Sequence, residues 1–156
     1  MGHEPVSHPL VIGVGNRDRG DDAIGPLVVD AVRHRWGDDV DTLVAEGDLA
    51  DLAARWHRNQ DVLIVDAAKG GRAPGETVEI DALVEHLPVD STLFSSHGAG
   101  VGEAIELGRL LGRLPRRLTV IAVEIERTGP FEDLSPAVAA ALPVIVERVR
   151  ALLIRP

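Results

Sequence analysis

The stretch that most restricts how this 156-residue chain can fold runs from Leu10 to Gly25. The apolar run Leu10-Val11-Ile12 leads into Gly13-Val14-Gly15-Asn16, and a short polar loop follows, closing on Asp21-Asp22. A helical pattern begins just after it. Ile24, Leu27, Val28, Ala31 and Val32 recur at i, i+3, i+4, i+7 and i+8, which places them on one helix face. The order predicts a buried strand over residues 9–15, a loop, and a helix over residues 23–35. It also puts Asp21 and Asp22 beside the carboxyl end of a strand, where open α/β sheets bind ligands.

The same alternation continues along the chain. Val40 to Ala45 predicts a second strand, Glu46-Gly47-Asp48 a second strand-to-helix loop, and Leu49, Leu52, Ala53 and Trp56 a short helix. Val62-Leu63-Ile64-Val65 is an unbroken apolar run, as expected of a central parallel strand, and it ends at Asp66. Lys69 to Gly75 is a loop by composition, and Glu76 to Asp81 alternates like an exposed or edge strand. Residues 88–100 form a long loop containing Ser95-Ser96-His97-Gly98. A helical stripe follows over Val101, Ala104, Ile105, Gly108 and Leu111, then a strand over Leu118 to Val123 and a loop over residues 125–134. Ser135-Pro136 suits the cap and first position of a last helix, in which Pro143 predicts a kink or break. Together these elements predict one domain over residues 1–156: a three-layer α/β fold with a mostly parallel twisted sheet of about five strands between helices. Right-handed crossovers then gather the carboxyl ends of the first, second, third and fifth strands on one edge. Asp21, Asp22, Glu46, Asp48 and Asp66 come to that edge, and the loop before the 101–111 helix brings His97.

Charge and composition narrow the function. A formal net charge of −9 is a poor match to nucleic acid, whose phosphates need a basic face. Aromatics make up 3%, so the core must be aliphatic. The absence of cysteine excludes disulfides, thiolate metal sites and a cysteine nucleophile, so any metal must be held by His, Asp or Glu. Met1 to Pro9 has no apolar signal region, and no run of about 18 apolar residues exists to span a membrane. The expectation is a cytoplasmic protein with no membrane partner.

Three chemistries compete for the strand-end edge. Gly13-x-Gly15 after a strand opens like a dinucleotide fingerprint, but its third glycine would fall at Asp18, and Asp21 and Asp22 put negative charge where a pyrophosphate would sit. Gly13-Val14-Gly15-Asn16 also resembles the opening of the peptidyl-tRNA hydrolases, yet Arg17 to Gly25 holds neither the histidine nor the aromatic residue that family places there. The third chemistry is a metal-contacting site of Asp22, Asp66 and His97. Two carboxylates and an imidazole are a competent donor set for a first-row divalent ion, with positions left open for water or substrate. Each of the three also has a plainer reading: Asp22 as helix N-cap, Asp66 as the turn residue ending a strand, and His97 as a loop histidine.

An ordered set of motifs separates these. Gly13-Val14-Gly15-Asn16 with Asp21-Asp22-Ala23-Ile24-Gly25, Val65-Asp66-Ala67 with Gly71-x-x-Pro74-Gly75, Ser96-His97, and Leu134-Ser135-Pro136-x-Val138 together resemble the hydrogenase maturation endopeptidases. The resemblance covers nearly the whole chain. It implies a sheet packed between helices and removal of the C-terminal extension of a nickel–iron hydrogenase large-subunit precursor after nickel insertion. It also implies that Asp22, Asp66 and His97 contact the metal, with the nickel carried by the substrate and serving as the recognition element. Asp22 and Asp66 are then the catalytic candidates, and other divalent ions can substitute for nickel. Two loops depart from the family pattern: Glu46-Gly47-Asp48-Leu49 after the second strand, and Gly98-Ala99-Gly100 after the histidine. They keep open a second class of function, a nickel-checking chaperone that holds the large subunit without cutting it.

Overall fold

The computed structural model describes residues 8–87 and 100–154. Five strands form one sheet: β1 (Leu10–Val14), β2 (Asp41–Ala45), β3 (Asp61–Ala68), β4 (Thr77–Asp81) and β5 (Arg117–Glu124), in the order β2-β1-β3-β5-β4. β1, β2, β3 and β5 are parallel, and β4 runs antiparallel on the outside of β5. Helices α1 (Ile24–Trp36), α2 (Val101–Leu110) and α3 (Pro136–Leu153) complete the three layers. The expected fold class is therefore the observed one, including the exposed edge strand at 77–81.

Side-chain alternation along the parallel strands divides the core into two halves. Val11, Leu63, Val65, Ile121 and Val123 pack with α1 and α3, through residues such as Val28, Val32, Ile145 and Val149. Leu10, Ile12, Val62, Ile64, Leu118 and Val120 face the other way, onto α2 and the connection after β2, through Leu52, Trp56, Val101 and Ile105. Both halves are almost entirely aliphatic, as the low aromatic content requires. β1 is the switch point of the sheet, since the chain moves to one side of it for β2 and to the other side for β3.

Three local expectations need correction. The helix expected around Leu49 to Trp56 is only a 3-10 turn, Leu52–Ala54. Its apolar residues are buried as the pattern implied, but Asp48 Oδ1 accepts the Ala50 N–H at 3.0 Å and holds the entry in a turn. α3 is unbroken across Pro143. Pro143 and Ala139, whose carbonyl loses its usual partner to the proline, both lie on the exposed side, where water can take that place. Finally, β3 runs on through Asp66 to Ala68, so Asp66 lies inside a strand rather than at its end.

Candidate active site

The site begins with the way β1 hands over to α1. A Cβ on Gly25 would stand 2.6 Å from the Val14 carbonyl and 2.7 Å from that of Val65, so only glycine lets the start of α1 rest directly on β1 and β3. Gly15 has φ +139°, and a Cβ there would come within 2.0 Å of the Asp22 carbonyl. The loop can thus fold back so that the Asn16 N–H donates to Asp22 Oδ2 at 2.9 Å. Asp22 does not cap α1 as expected. It sits inside a 3-10 turn, Gly20–Ala23, and its carboxylate closes the loop behind it instead.

Asp66 faces Asp22 from the central strand. The β1–β3 register ends at Gly13 and Val65, so Asp66 is the first β3 residue beyond the end of its β1 pairing. On its other side it pairs with Ala122 of β5. Strand alternation puts its side chain on the same face as Val62 and Ile64, toward α2. It is 2% exposed, and its Oδ1 has no hydrogen-bond partner among the described residues. An orphaned buried carboxylate oxygen at the switch point of a parallel sheet is the strongest site signal in the molecule. Burial pushes the Asp66 carboxyl well above the usual carboxylate range. The negative charge of Asp22 adds to this, and the Ala67 N–H opposes it. Asp22 is raised as well, chiefly by burial; the Asn16 N–H and Arg19 oppose the shift and Glu46 adds to it. Both carboxyls therefore hold a proton more readily than a free aspartate does.

Asp22 and Asp66 come together. Glu46 brings its charge to Asp22 from the end of β2 while staying exposed. His97 lies outside the described residues, as do Gly98 and Ala99 of the second variant loop. A cavity of about 300 Å³ lined by Glu79, Asp81, Arg117 and Thr119 lies at the far end of the sheet, where β5 begins, and is separate from the acids.

The sequence marks Asp21 only as negative charge beside Asp22; the structure gives it a holding role. Asp21 is fully buried and accepts four hydrogen bonds: from the N–H groups of Glu126 (2.9 Å), Arg127 (3.0 Å) and Ser135 (2.7 Å), and from the Ser135 hydroxyl (2.8 Å). Burial works to raise this carboxyl, but the four donors outweigh it and hold Asp21 below the ordinary aspartate value. Its own N–H donates to the Arg127 carbonyl at 2.8 Å. Asp21 thus fastens the turn carrying Asp22 to both ends of the loop that follows β5. Ser135 does stand at the N-cap of α3 with Pro136 after it, but its hydroxyl turns to Asp21 rather than to the helix. Nothing short of the tertiary structure announces this contact across 114 positions of sequence.

The fold and site define a small α/β protein with two buried aspartates at the switch point of its five-stranded sheet. Residues 47–151 match the family model described as hydrogenase maturation protease. The chain is 33% identical over 153 residues to the hydrogenase 2 maturation protease of Escherichia coli K12, covering 92% of this chain and 89% of that one. It is 28% identical over 151 residues to the hydrogenase expression/formation protein HupD of Thiocapsa roseopersicina, covering 88% and 67%. Among solved structures, the hydrogenase maturating endopeptidase HybD from E. coli superposes with a TM-score of 0.73 at 26% identity, over 94% of this chain and 92% of that one. The chain belongs to the hydrogenase maturation protease family.

Proposed function

We propose that this protein is the endopeptidase that removes the C-terminal extension from a nickel–iron hydrogenase large-subunit precursor after nickel insertion, with the substrate's nickel as the recognition element. The observation that carries this reading is Asp66: a buried carboxylate with an unpartnered oxygen, beside Asp22, at the switch point of the sheet. The donor chemistry fits. The Asp22 charge acts on Asp66, and the face that Asp66 occupies belongs to α2, shortly before which His97 stands in the sequence. Asp22, Asp66 and His97 would hold the precursor's metal, and that contact docks the C-terminal segment on the strand-end edge.

Hydrolysis then needs a base. In this proposal one carboxylate of the pair takes a proton from a water molecule, and the resulting hydroxide adds to the scissile carbonyl. As the C–N bond breaks, the same carboxyl returns the proton to the departing amine. Atoms and charges balance without a covalent enzyme intermediate.

The test is to mix the purified protein with precursor, with and without nickel, and follow the precursor's mass. Loss of the C-terminal extension only from the nickel-loaded form is the expected result. Stable binding without shortening would contradict proteolysis and favour the nickel-checking chaperone.

A further inference from the structure

The chain has two phenylalanines, two tryptophans and no tyrosine. Trp56 is buried, and the guanidinium groups of Arg35 and Arg150 lie over the Trp36 ring. Phe131 is 87% exposed. It is also the only non-glycine residue with positive φ among the described residues, at 59°. Gly129, Pro130, Phe131 and Glu132 form a turn in which the Glu132 N–H donates to the Gly129 carbonyl at 3.3 Å. Proline followed by a left-handed residue is the pattern of a type II turn, whose third position favours glycine or asparagine. Phenylalanine is an unfavourable occupant there, and its side chain gains no burial in return.

The surrounding contacts fix that conformation. The Phe131 N–H donates to the Asp18 carbonyl at 2.6 Å, and the Gly20 N–H to the Glu132 carbonyl at 3.2 Å. The base of the loop is held by the single carboxylate of Asp21, through Glu126 and Arg127 on one side and Ser135 on the other. The turn that displays Phe131 and the turn that carries Asp22 are therefore one bonded unit. An exposed aromatic at positive φ, on a loop bonded to the turn that carries Asp22, calls for a partner outside the chain.

We propose that Phe131 is a substrate-recognition residue: its ring packs against an apolar side chain of the precursor polypeptide when the precursor's C-terminal segment is seated at Asp22 and Asp66. This rests on the proteolytic reading above and adds to it a contact that is independent of the metal. The occupant is the precursor rather than a second copy of this chain, because the Phe131 backbone is bonded to the turn that carries Asp22.

The experiment measures the Kd of the nickel-loaded large-subunit precursor for the parent protein and for Phe131→Gly, Phe131→Ala and Phe131→Leu. Precursor length and the Tm of each protein are followed in parallel. The Gly and Ala variants should bind about 10- to 30-fold more weakly, and Leu should recover part of the loss. The Tm of Phe131→Gly should hold or rise, by up to about 4 °C, because the strained φ is relieved. A purely structural role would instead lower Tm and leave Kd alone. Equal Kd across all four proteins would overturn the proposal, even if every one of them shortens the precursor. Phe131-dependent binding with no shortening by any of them would uphold it and overturn the proteolytic reading instead.

Discussion

At the scale of the residue, adjacent aspartates have opposite fates. Asp21 is stabilised as an anion by four donors, whereas Asp22 and Asp66 are held in a dry place with too few. The consequences for stability have opposite signs. A carboxyl whose folded pKa is lowered stabilises the fold above its unfolded pKa, and that contribution disappears as pH falls through the folded value. Asp21→Asn should therefore destabilise the protein at neutral pH by about 2–3 kcal/mol, from lost hydrogen bonds to a charged acceptor. In denaturant melts the gap between variant and parent should close as pH falls below the ordinary aspartate range. Asp66 has a raised folded pKa, so its contribution is most favourable below the unfolded carboxylate pKa and is lost as pH rises toward the folded one. Asp66→Asn, a mimic of the protonated acid, should match the parent at low pH and be more stable than it at neutral pH when no metal is added. The same change should lower precursor processing by at least about 100-fold. A variant that is both more stable and inactive would mark Asp66 as a residue kept for function at the expense of stability.

At the scale of the element, the handover from β1 to α1 depends on close approach. Gly25→Ala would drive a methyl group into the Val14 and Val65 carbonyls and should cost about 1–3 kcal/mol, read as a lower denaturant midpoint. Pro143→Ala should do the reverse. It restores the N–H to the Ala139 carbonyl in an unbroken helix and should raise stability by about 1–3 kcal/mol. How far each element could be read from sequence follows the same physics. β3 was plain because a run such as Val62 to Val65 has one stable home, the centre of a parallel sheet. The last helix was plain from its stripe, although the proline inside it suggested a break that water on the exposed side makes unnecessary. The segment around Leu49 to Trp56 misled because burial, not helicity, set its apolar spacing.

At the scale of the whole molecule, the parallel order β2-β1-β3-β5 brings acids that are distant in sequence to one edge. Strand order and right-handed crossovers bring Asp22 and Asp66 to that edge together with Asp21, Glu46 and Asp48; the motif resemblance, not the topology, picks out the pair. The role of Asp21 follows from neither, since it depends on where the loop after β5 returns. The exposed strain at Phe131 does not either, because a backbone angle leaves no trace in composition. The overall acidity belongs to this scale as well: it disfavours a nucleic-acid partner and suits a site that receives a cation.

Intact-mass analysis of a nickel-loaded large-subunit precursor, after incubation with the parent protein and with Asp66→Asn, shows whether the aspartate pair cuts it. The expected result is a precursor shortened at its C-terminus by the parent, only when nickel is present, and full-length precursor with Asp66→Asn. A precursor shortened equally by both proteins, or left intact by the parent in the presence of nickel, would contradict cleavage by the pair.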